Sequence, residues 1–466
     1  MPYLVAILTP ALGALICNFS KKHNRQLMLL FLTLSLCAAV GASFLNSPAF
    51  TPLAAGNFAI SFFTDNTGAV FTVLFALVFL LCGIYALGYF EASQDIRKFE
   101  VFYLLSLSAL IGIGLSNSLA TLYVFFVLAA LLSSPLVSFD NTQQAKKIAK
   151  EYVKHSLTGA VLALIGLCAV IPNLQSPYFA YGGMLKEELN MPNWLFLTLV
   201  LAGTIGFASK AGLFPMHSWL PAAHPVAPTP ASAVLSGLIT KAGIVSVIRL
   251  IYFSIGPKML SGSFVQYALM VLALFTVLMG SSLAYKQDML KRRLAFSSVS
   301  QLSYVLCALF LMNGLSLNAG ILHAVGHALV KSGLFLSFGF VIHATGDKNT
   351  SAFKGLVKYM PYTVVFTILL SLSLIGIPPF MGFVSKWEIA KAAQGSVFSY
   401  AVPIVLIISA MLTASYLLPP GISAVFEKPQ MEAVKKEKSW LYMLIPIIVL
   451  CVLALVGGLF MPVEVI

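Results

Sequence analysis

Long apolar runs dominate the chain, and polar residues fall almost entirely in the short gaps between them. Stretches of about 20 apolar residues recur from one end to the other, the length a helix needs to cross a hydrocarbon core. Read in order, they predict spans at 3–19, 26–45, 67–90, 99–116, 118–138, 152–172, 192–214, 227–255, 262–284, 294–313, 316–343, 359–392, 398–419 and 440–461, about fourteen in all. In lipid every backbone amide must be satisfied within a helix or a closed barrel, and these runs are too long and too uniformly apolar for barrel strands. The expected fold is an all-α polytopic membrane protein. The first run follows Met1 without a basic n-region or a small-residue cleavage site, so it reads as a retained helix.

Composition agrees. Of 466 residues, 59% are hydrophobic and only 9% charged, with a mean hydropathy of +0.94, which excludes a water-soluble domain of this size. A net charge of +13 invites a nucleic-acid reading, but the placement of the basic residues argues against one. Lys21, Lys22 and Arg25 follow the first span, Arg97 and Lys98 precede the fourth, and Lys146, Lys147 and Lys150 precede the sixth. Lys286, Lys291, Arg292 and Arg293 separate the ninth and tenth, Lys348, Lys354 and Lys358 the eleventh and twelfth, and Lys428, Lys435, Lys436 and Lys438 the thirteenth and fourteenth. Every second loop is basic, with Lys186 and Lys258 as the main exceptions. The positive-inside rule then places these loops in the cytoplasm and both termini outside.

Two spans are broken at comparable places. The seventh meets Gly212-Leu-Phe-Pro215 and runs into His217-Ser-Trp-Leu-Pro221; the twelfth meets Gly376-Ile-Pro378-Pro379 and then Gly382-Phe-Val-Ser-Lys386. Proline removes a backbone donor and clashes with the preceding turn, and lipid tolerates such a break only beside protein or a wet cavity. The breaks lie five spans apart. That spacing predicts a single membrane domain, 1–466, with N-terminal spans in 1–98, two five-helix repeats at 99–255 and 262–425, and a last helix in 440–466. An odd number of spans per repeat forces the two into opposite orientations, as in ion-coupled transporters whose sites lie at discontinuous helices.

Inside these spans lie Lys210, Lys241, Lys331 and Lys386. A lysine near the bilayer centre costs roughly 2.5 to 3.5 kcal/mol on insertion scales, so such residues mark function by default. On the eleventh span His323, His327 and Lys331 follow at i, i+4 and i+8, one stripe with neighbours about 6 Å apart, a gap one water can bridge. Amines and imidazoles can load and unload a proton, so the row suggests a proton path. Each residue has a plainer reading: Lys210 and Lys386 as snorkelling side chains, His323 and His327 as histidines bonded to backbone. A zinc site at His323-x-x-x-His327 lacks a carboxylate or thiol on the same stripe. His217, His224 and His343 sit near span ends, where structural roles are expected, and Arg249 suits helix packing or an ion pair.

Of the fifteen acidic residues only Glu388, two beyond Lys386, falls well inside a long apolar segment, and it is a further candidate. Sodium sites need a cage of oxygens, usually with a carboxylate, so a core of lysine and histidine favours H⁺ over Na⁺. Six cysteines, Cys17, Cys37, Cys82, Cys168, Cys307 and Cys451, fall singly in apolar runs, without the paired spacing of iron–sulfur, haem or zinc sites. No cofactor or metal is expected.

The segment Lys210-Ala-Gly-Leu-Phe-Pro-Met-His-Ser-Trp-Leu-Pro221, followed by Ala-Pro-Thr-Pro-Ala-Ser-Ala and Lys241-Ala-Gly243, resembles the signature of the antiporter-like subunits shared by respiratory complex I, Mrp-type cation/proton antiporters and energy-converting membrane-bound hydrogenases. Gln287-Asp288 with Lys291-Arg-Arg-Leu-Ala-Phe-Ser-Ser298, His323 to Phe335, and Gly376 to Lys386 extend the likeness in order over most of the chain. The resemblance implies fourteen helices with inverted five-helix repeats. It assigns Lys210 as proton-accepting lysine, Lys241 as connecting lysine, His323, His327 and Lys331 as part of a central hydrophilic axis, and Lys386 as the group exchanging protons with the outside. A lysine at this last position is similar to the quinone-proximal complex I subunit and the D-type Mrp subunit. It also implies a bacterial or archaeal cytoplasmic membrane and partners among other membrane subunits, homologous antiporter-like and small ones, with redox chemistry carried elsewhere.

One departure stands out. The family pattern has a glutamate on the fifth span that pairs with Lys210, and the aligned residue here is Leu128. Either a neighbouring subunit supplies a carboxylate, or this half is altered or silent, which leaves a structural subunit that has lost pumping as the alternative function.

Overall fold

The computed structural model describes all residues except 21–24, 46, 92–94, 430–439 and 461–466. Lys21, Lys22, Lys435, Lys436 and Lys438 of the basic loops therefore lie outside the described residues. In chain order the helices are α1 (Pro2–Phe19), α2 (Arg25–Phe44), α3 (Asn66–Tyr89), α4 (Arg97–Gly114), α5 (Leu119–Val137), α6 (Gln143–Val170), α7 (Asn193–Ala208), α8 (Trp219–Val226), α9 (Thr229–Val234), α10 (Lys241–Ile248), α11 (Pro257–Leu260), α12 (Phe264–Tyr285), α13 (Leu290–Phe310), α14 (Gly314–Thr345), α15 (Pro361–Ile375), α16 (Met381–Ala392), α17 (Ala401–Phe426) and α18 (Trp440–Phe460).

Among the described residues twelve helical stretches are long and apolar enough to cross a membrane, counting 229–255 as one. The predicted span at 99–116 corresponds to α4, which is not among the twelve, and the span at 359–392 is divided into α15 and α16. The protein is a mostly helical, multi-pass membrane protein.

Burial separates these helices sharply. The apolar windows of 229–255 and α13 are entirely buried and that of α14 is 94% buried, against 28–67% in the other spans. The stretches that carry Lys241, Gln301, His323, His327 and Lys331 are thus the ones other helices wrap. Asn313 starts α14 with a capping box to Ser316, and Gly346, in the left-handed conformation, ends it 32 residues later. The stretch from α9 to α10 is irregular: π-type turns at Leu235–Ile239 and Arg249–Ile255 flank α10, so Lys241 begins its regular part.

Three elements differ from the sequence expectation. A short antiparallel hairpin, β1 (Phe50–Ala55) and β2 (Phe58–Phe62), turns at Gly56 and pairs Ala54 with Ala59; it is too short to register as an apolar span, so the chain is not wholly α. Helix α6 begins nine residues before its apolar run, capped by Thr142, because Ala145, Ala149 and Tyr152 bury one stripe while Lys146, Lys147 and Lys150 face out. Beyond the first break the chain forms α8, which buries His224 completely, where a position near a span end was expected.

Arg249 bears out its sequence reading. Its guanidinium donates to both Asp65 oxygens at 2.6 Å, joining the turn after α10 to the N-terminus of α3, where Asp65 also accepts from the Gly68 amide. Burial works to raise the Asp65 carboxyl, but Arg249 and the amide outweigh it and hold it below the usual carboxylate range.

Candidate functional site

Each break holds a lysine, and local structure explains how. Helix α7 closes in a 3₁₀ turn, Ser209–Ala211, with Gly212 left-handed at φ 82°; α15 ends at Gly376, also left-handed, at φ 98°. Lys210 sits in the 3₁₀ turn and is 2% exposed. Its Nζ donates to the Tyr152 hydroxyl at 2.7 Å and the Ser156 hydroxyl at 3.1 Å, 4.3 Å from the Tyr152 ring centre and 5.3 Å from that of Trp219. Among the described residues it forms no ion pair. Leu128 lies on the outward face of α5, 37% exposed, whereas Phe126, Ala129, Ala130 and Ser133 face inward.

At the second break α16 packs tightly on the end of α15, since any side chain at Gly382 would collide with the Ser373 carbonyl. One turn later, the partly buried Lys386 donates to the carbonyls of Leu374 and Ile375 at 2.7 and 2.8 Å. These are unsatisfied carbonyls at a helix C-terminus, the negative end of its dipole. Glu388 does not join this contact; it pairs with Lys391 one turn further on, at 2.8 Å.

Between the breaks lies the buried centre. Lys241 Nζ is 2.6 Å from His327 Nδ1 and donates to the Ser236 carbonyl at 3.2 Å. One turn along α14, Lys331 donates to Ser297 Oγ at 2.7 Å and the Leu294 carbonyl at 3.0 Å; Ser297 also accepts from Tyr416. One turn the other way, His323 Nδ1 is 2.8 Å from Ser385 Oγ, and its ring stacks on Tyr304 at 5.5 Å. The Tyr304 ring centre lies 5.1 Å from Lys386 Nζ. Contacts therefore link Lys241 to His327, and His323 to the neighbourhood of Lys386. No direct polar contact links Lys210 to Lys241; the chains approach there at Gly243, where a Cβ would lie 3.0 Å from that of Lys210.

Several buried polar residues beside this centre were missed in the sequence. Gln301 of α13 is fully buried, and neither its amide oxygen nor its nitrogen has a hydrogen-bond partner, as is true of Nε2 of His323 and of His327. On α13, Gln301 lies between Ser297, which meets Lys331, and Tyr304, which stacks on His323, and its main chain approaches His323. Both ring nitrogens of the buried His224 also lack partners, and its ring stacks on Phe335, one turn beyond Lys331. Nearby, a cavity of about 130 Å³ is lined by Asp140, Lys291, His343 and Lys348 among others. Burial raises the Asp140 carboxyl, and Lys291 and Lys348 oppose that shift. A signal was present: α13 has the lowest mean hydropathy of the twelve spans, 1.3, yet its window is wholly buried. Among the described residues no three histidine, cysteine or acidic side chains gather as metal ligands.

A family model described as NADH:quinone oxidoreductase/Mrp antiporter, TM, matches residues 116–415. NADH-quinone oxidoreductase subunit N of Desulforudis audaxviator (strain MP104C) is 32% identical over 410 residues, 83% of this chain and 79% of that protein. Na(+)/H(+) antiporter subunit A1 of Staphylococcus aureus (strain Newman) is 30% identical over 425 residues, 85% of this chain; the chain spans about half of that subunit, 52%. A chain of the membrane-bound sulfane sulfur reductase, an archaeal respiratory membrane complex, superposes with a TM-score of 0.83 at 21% identity, covering 97% of this chain and 94% of the other. A chain of the Mrp complex from Dietzia sp. DQ12-45-1b does so with 0.84 at 22%, covering 98% and 94%. At these identities the superpositions speak to the fold.

Proposed function

The chain belongs to the NADH:quinone oxidoreductase/Mrp antiporter transmembrane family, and from that membership we propose that it translocates protons as one subunit of a larger membrane complex, with Lys210, Lys241, His323, His327, Lys331 and Lys386 as the relay groups. The observation that carries this reading is the 2.6 Å contact between the buried side chains of Lys241 and His327. An amine and an imidazole so placed can share one proton but are poorly suited to hold two charges, so loading one favours unloading the other. The unpartnered nitrogens of His323 and His327 and the amide of Gln301 supply polar walls for water, which can bridge the one-turn gaps on α14. Tyr304 and Ser385 then lead to Lys386. Glu388, turned to Lys391, has no part in this path.

In this reading the chain has fourteen spans, inverted repeats at 99–255 and 262–425, basic loops in the cytoplasm and both termini outside. Left-handed glycines closing α7 and α15 at the two breaks support the repeat. On this orientation the cavity beside Asp140 and Lys291 opens toward the basic side and is the natural place for protons to enter, with His224 beneath it. Partners are other membrane subunits, homologous and small ones, which supply redox or ion-gradient energy.

A second reading is favoured by one observation: Lys210 has no ionic partner among the described residues, as expected of a subunit kept for assembly alone. Lys241→Ala in the intact complex, assayed for proton uptake in vesicles, separates the two. Relay predicts loss of uptake with normal assembly; full uptake would establish the structural role.

A further inference from the structure

Among the described residues Lys210 meets no carboxylate, and the structure offers a set of neutral contacts instead. Tyr152 and Ser156 stand one turn apart on α6, and Tyr152 OH lies 2.6 Å from Ser133 Oγ of α5, where either atom can donate. The Tyr152 and Trp219 rings, 5.1 Å apart and edge to face, present π surfaces to the ammonium, and the indole is fixed by its bond to the Ser209 carbonyl at 3.2 Å. The outward Leu128 position is about 140° around α5 from Ser133, so a carboxylate there would not replace this contact. The titratable groups on the packed elements are few. Tyr152 touches the amine; His155 on α6 is engaged with Ser218 and the Glu151 carbonyl, and His217 stacks on Phe214. Helix α10 approaches with Gly243.

We propose that Tyr152 is the positioning residue for Lys210, its hydroxyl, braced by Ser133, serving both protonation states of the amine in place of a carboxylate. Toward the ammonium the phenol oxygen accepts, and its own proton goes to Ser133. Toward the neutral amine the hydroxyl turns and donates to the nitrogen lone pair, while Ser133 gives up its bond to the Ala129 carbonyl, 2.7 Å away, and donates to the phenol oxygen. A carboxylate can only accept, so it would stabilise the charged form alone and would have to be pulled away before the proton could leave. The Tyr152 pair lets Lys210 unload without breaking an ion pair. This role rests on the relay reading of Lys210, and the test is built so that the two can fail separately.

Proton uptake by vesicles holding the intact complex is measured against pH for three forms. Tyr152→Phe should lower uptake about tenfold, the loss expected for a hydrogen bond to a charged group, and should move half-maximal uptake to lower pH because the loaded amine loses an acceptor. A difluorotyrosine placed at position 152 keeps ring and shape but has a more acidic phenol, and should move the profile with assembly intact. Lys210→Ala should abolish uptake. An unmoved profile in Tyr152→Phe beside a dead Lys210→Ala would overturn the assignment of Tyr152 and leave the relay standing. Full uptake in Lys210→Ala would remove both. If the phenylalanine variant does not assemble, the fluorinated form decides: a profile identical to that of the natural tyrosine overturns the proposal.

Discussion

Lys210 and Lys386 each stand at a break in a helix closed by a left-handed glycine, but one is held by side chains and the other by main chain. Lys386 donates to two carbonyls at the end of α15, acceptors that any sequence would supply once the helix stops there. Lys210 depends on Tyr152 and Ser156, either of which a single substitution can remove. Helix-end carbonyls favour a cation, whereas hydroxyls can face either an ammonium or an amine. The same backbone device, a left-handed glycine closing a helix, thus leads to two chemistries: at the first break the preceding helix α6 supplies hydroxyls, and at the second α15 supplies its own end carbonyls.

The sharpest test on the second break is Lys386→Arg. Arginine keeps the charge and the carbonyl contacts but does not release its proton, so uptake should fall by about 100-fold or more while assembly is unchanged. Uptake surviving in this variant would reduce Lys386 to a structural cap.

The first half also carries the Asp65–Arg249 pair. Arg249→Leu should cost about 2–4 kcal/mol, toward the lower value because the Asp65 side chain is 29% exposed, read as a fall in the unfolding midpoint of the purified complex. Since the folded carboxyl is held below its ordinary value, the pair contributes fully above the usual carboxylate range and fades as pH falls through the depressed value. The variant should lose that acid dependence; if it unfolds in acid just as the parent does, the pair is not what acid attacks.

Alanine at Gly212 or Gly376 should cost about 1–2 kcal/mol at either site, from the left-handed backbone. Only Gly376→Ala should also depress uptake strongly, because it displaces the carbonyls that hold Lys386. Equal uptake in the two would erase the contrast between the breaks. The smallest effect is expected for Gln301→Leu: thermal stability unchanged or slightly raised, since an unpartnered buried amide is removed, and uptake reduced about threefold to tenfold. Unaltered uptake would exclude Gln301 from the path.

The helical membrane fold, the two breaks, the four interior lysines and His323 with His327 were legible in the chain itself, whereas the buried His224 was not. Span length, proline and glycine at the breaks, and i, i+4 spacing on α14 are local properties, and a cation in an apolar run announces its own cost. The β1–β2 hairpin and the polar start of α6 escaped because hydropathy over a long window is blind to short strands and to a single buried stripe. Leu128 shows a different limit: aligned in sequence with a glutamate, it faces outward in the fold.

Which partner each interior lysine meets was decided only by tertiary packing. Tyr152 lies 58 residues from Lys210 and His327 lies 86 from Lys241, and a serine or tyrosine in an apolar helix reads the same whether it faces lipid, a carbonyl or a cation. Periodicity fixes the face of a helix a residue occupies; only the crossing of helices determines what stands opposite, and a hydrogen bond is made or lost within a few tenths of an ångström.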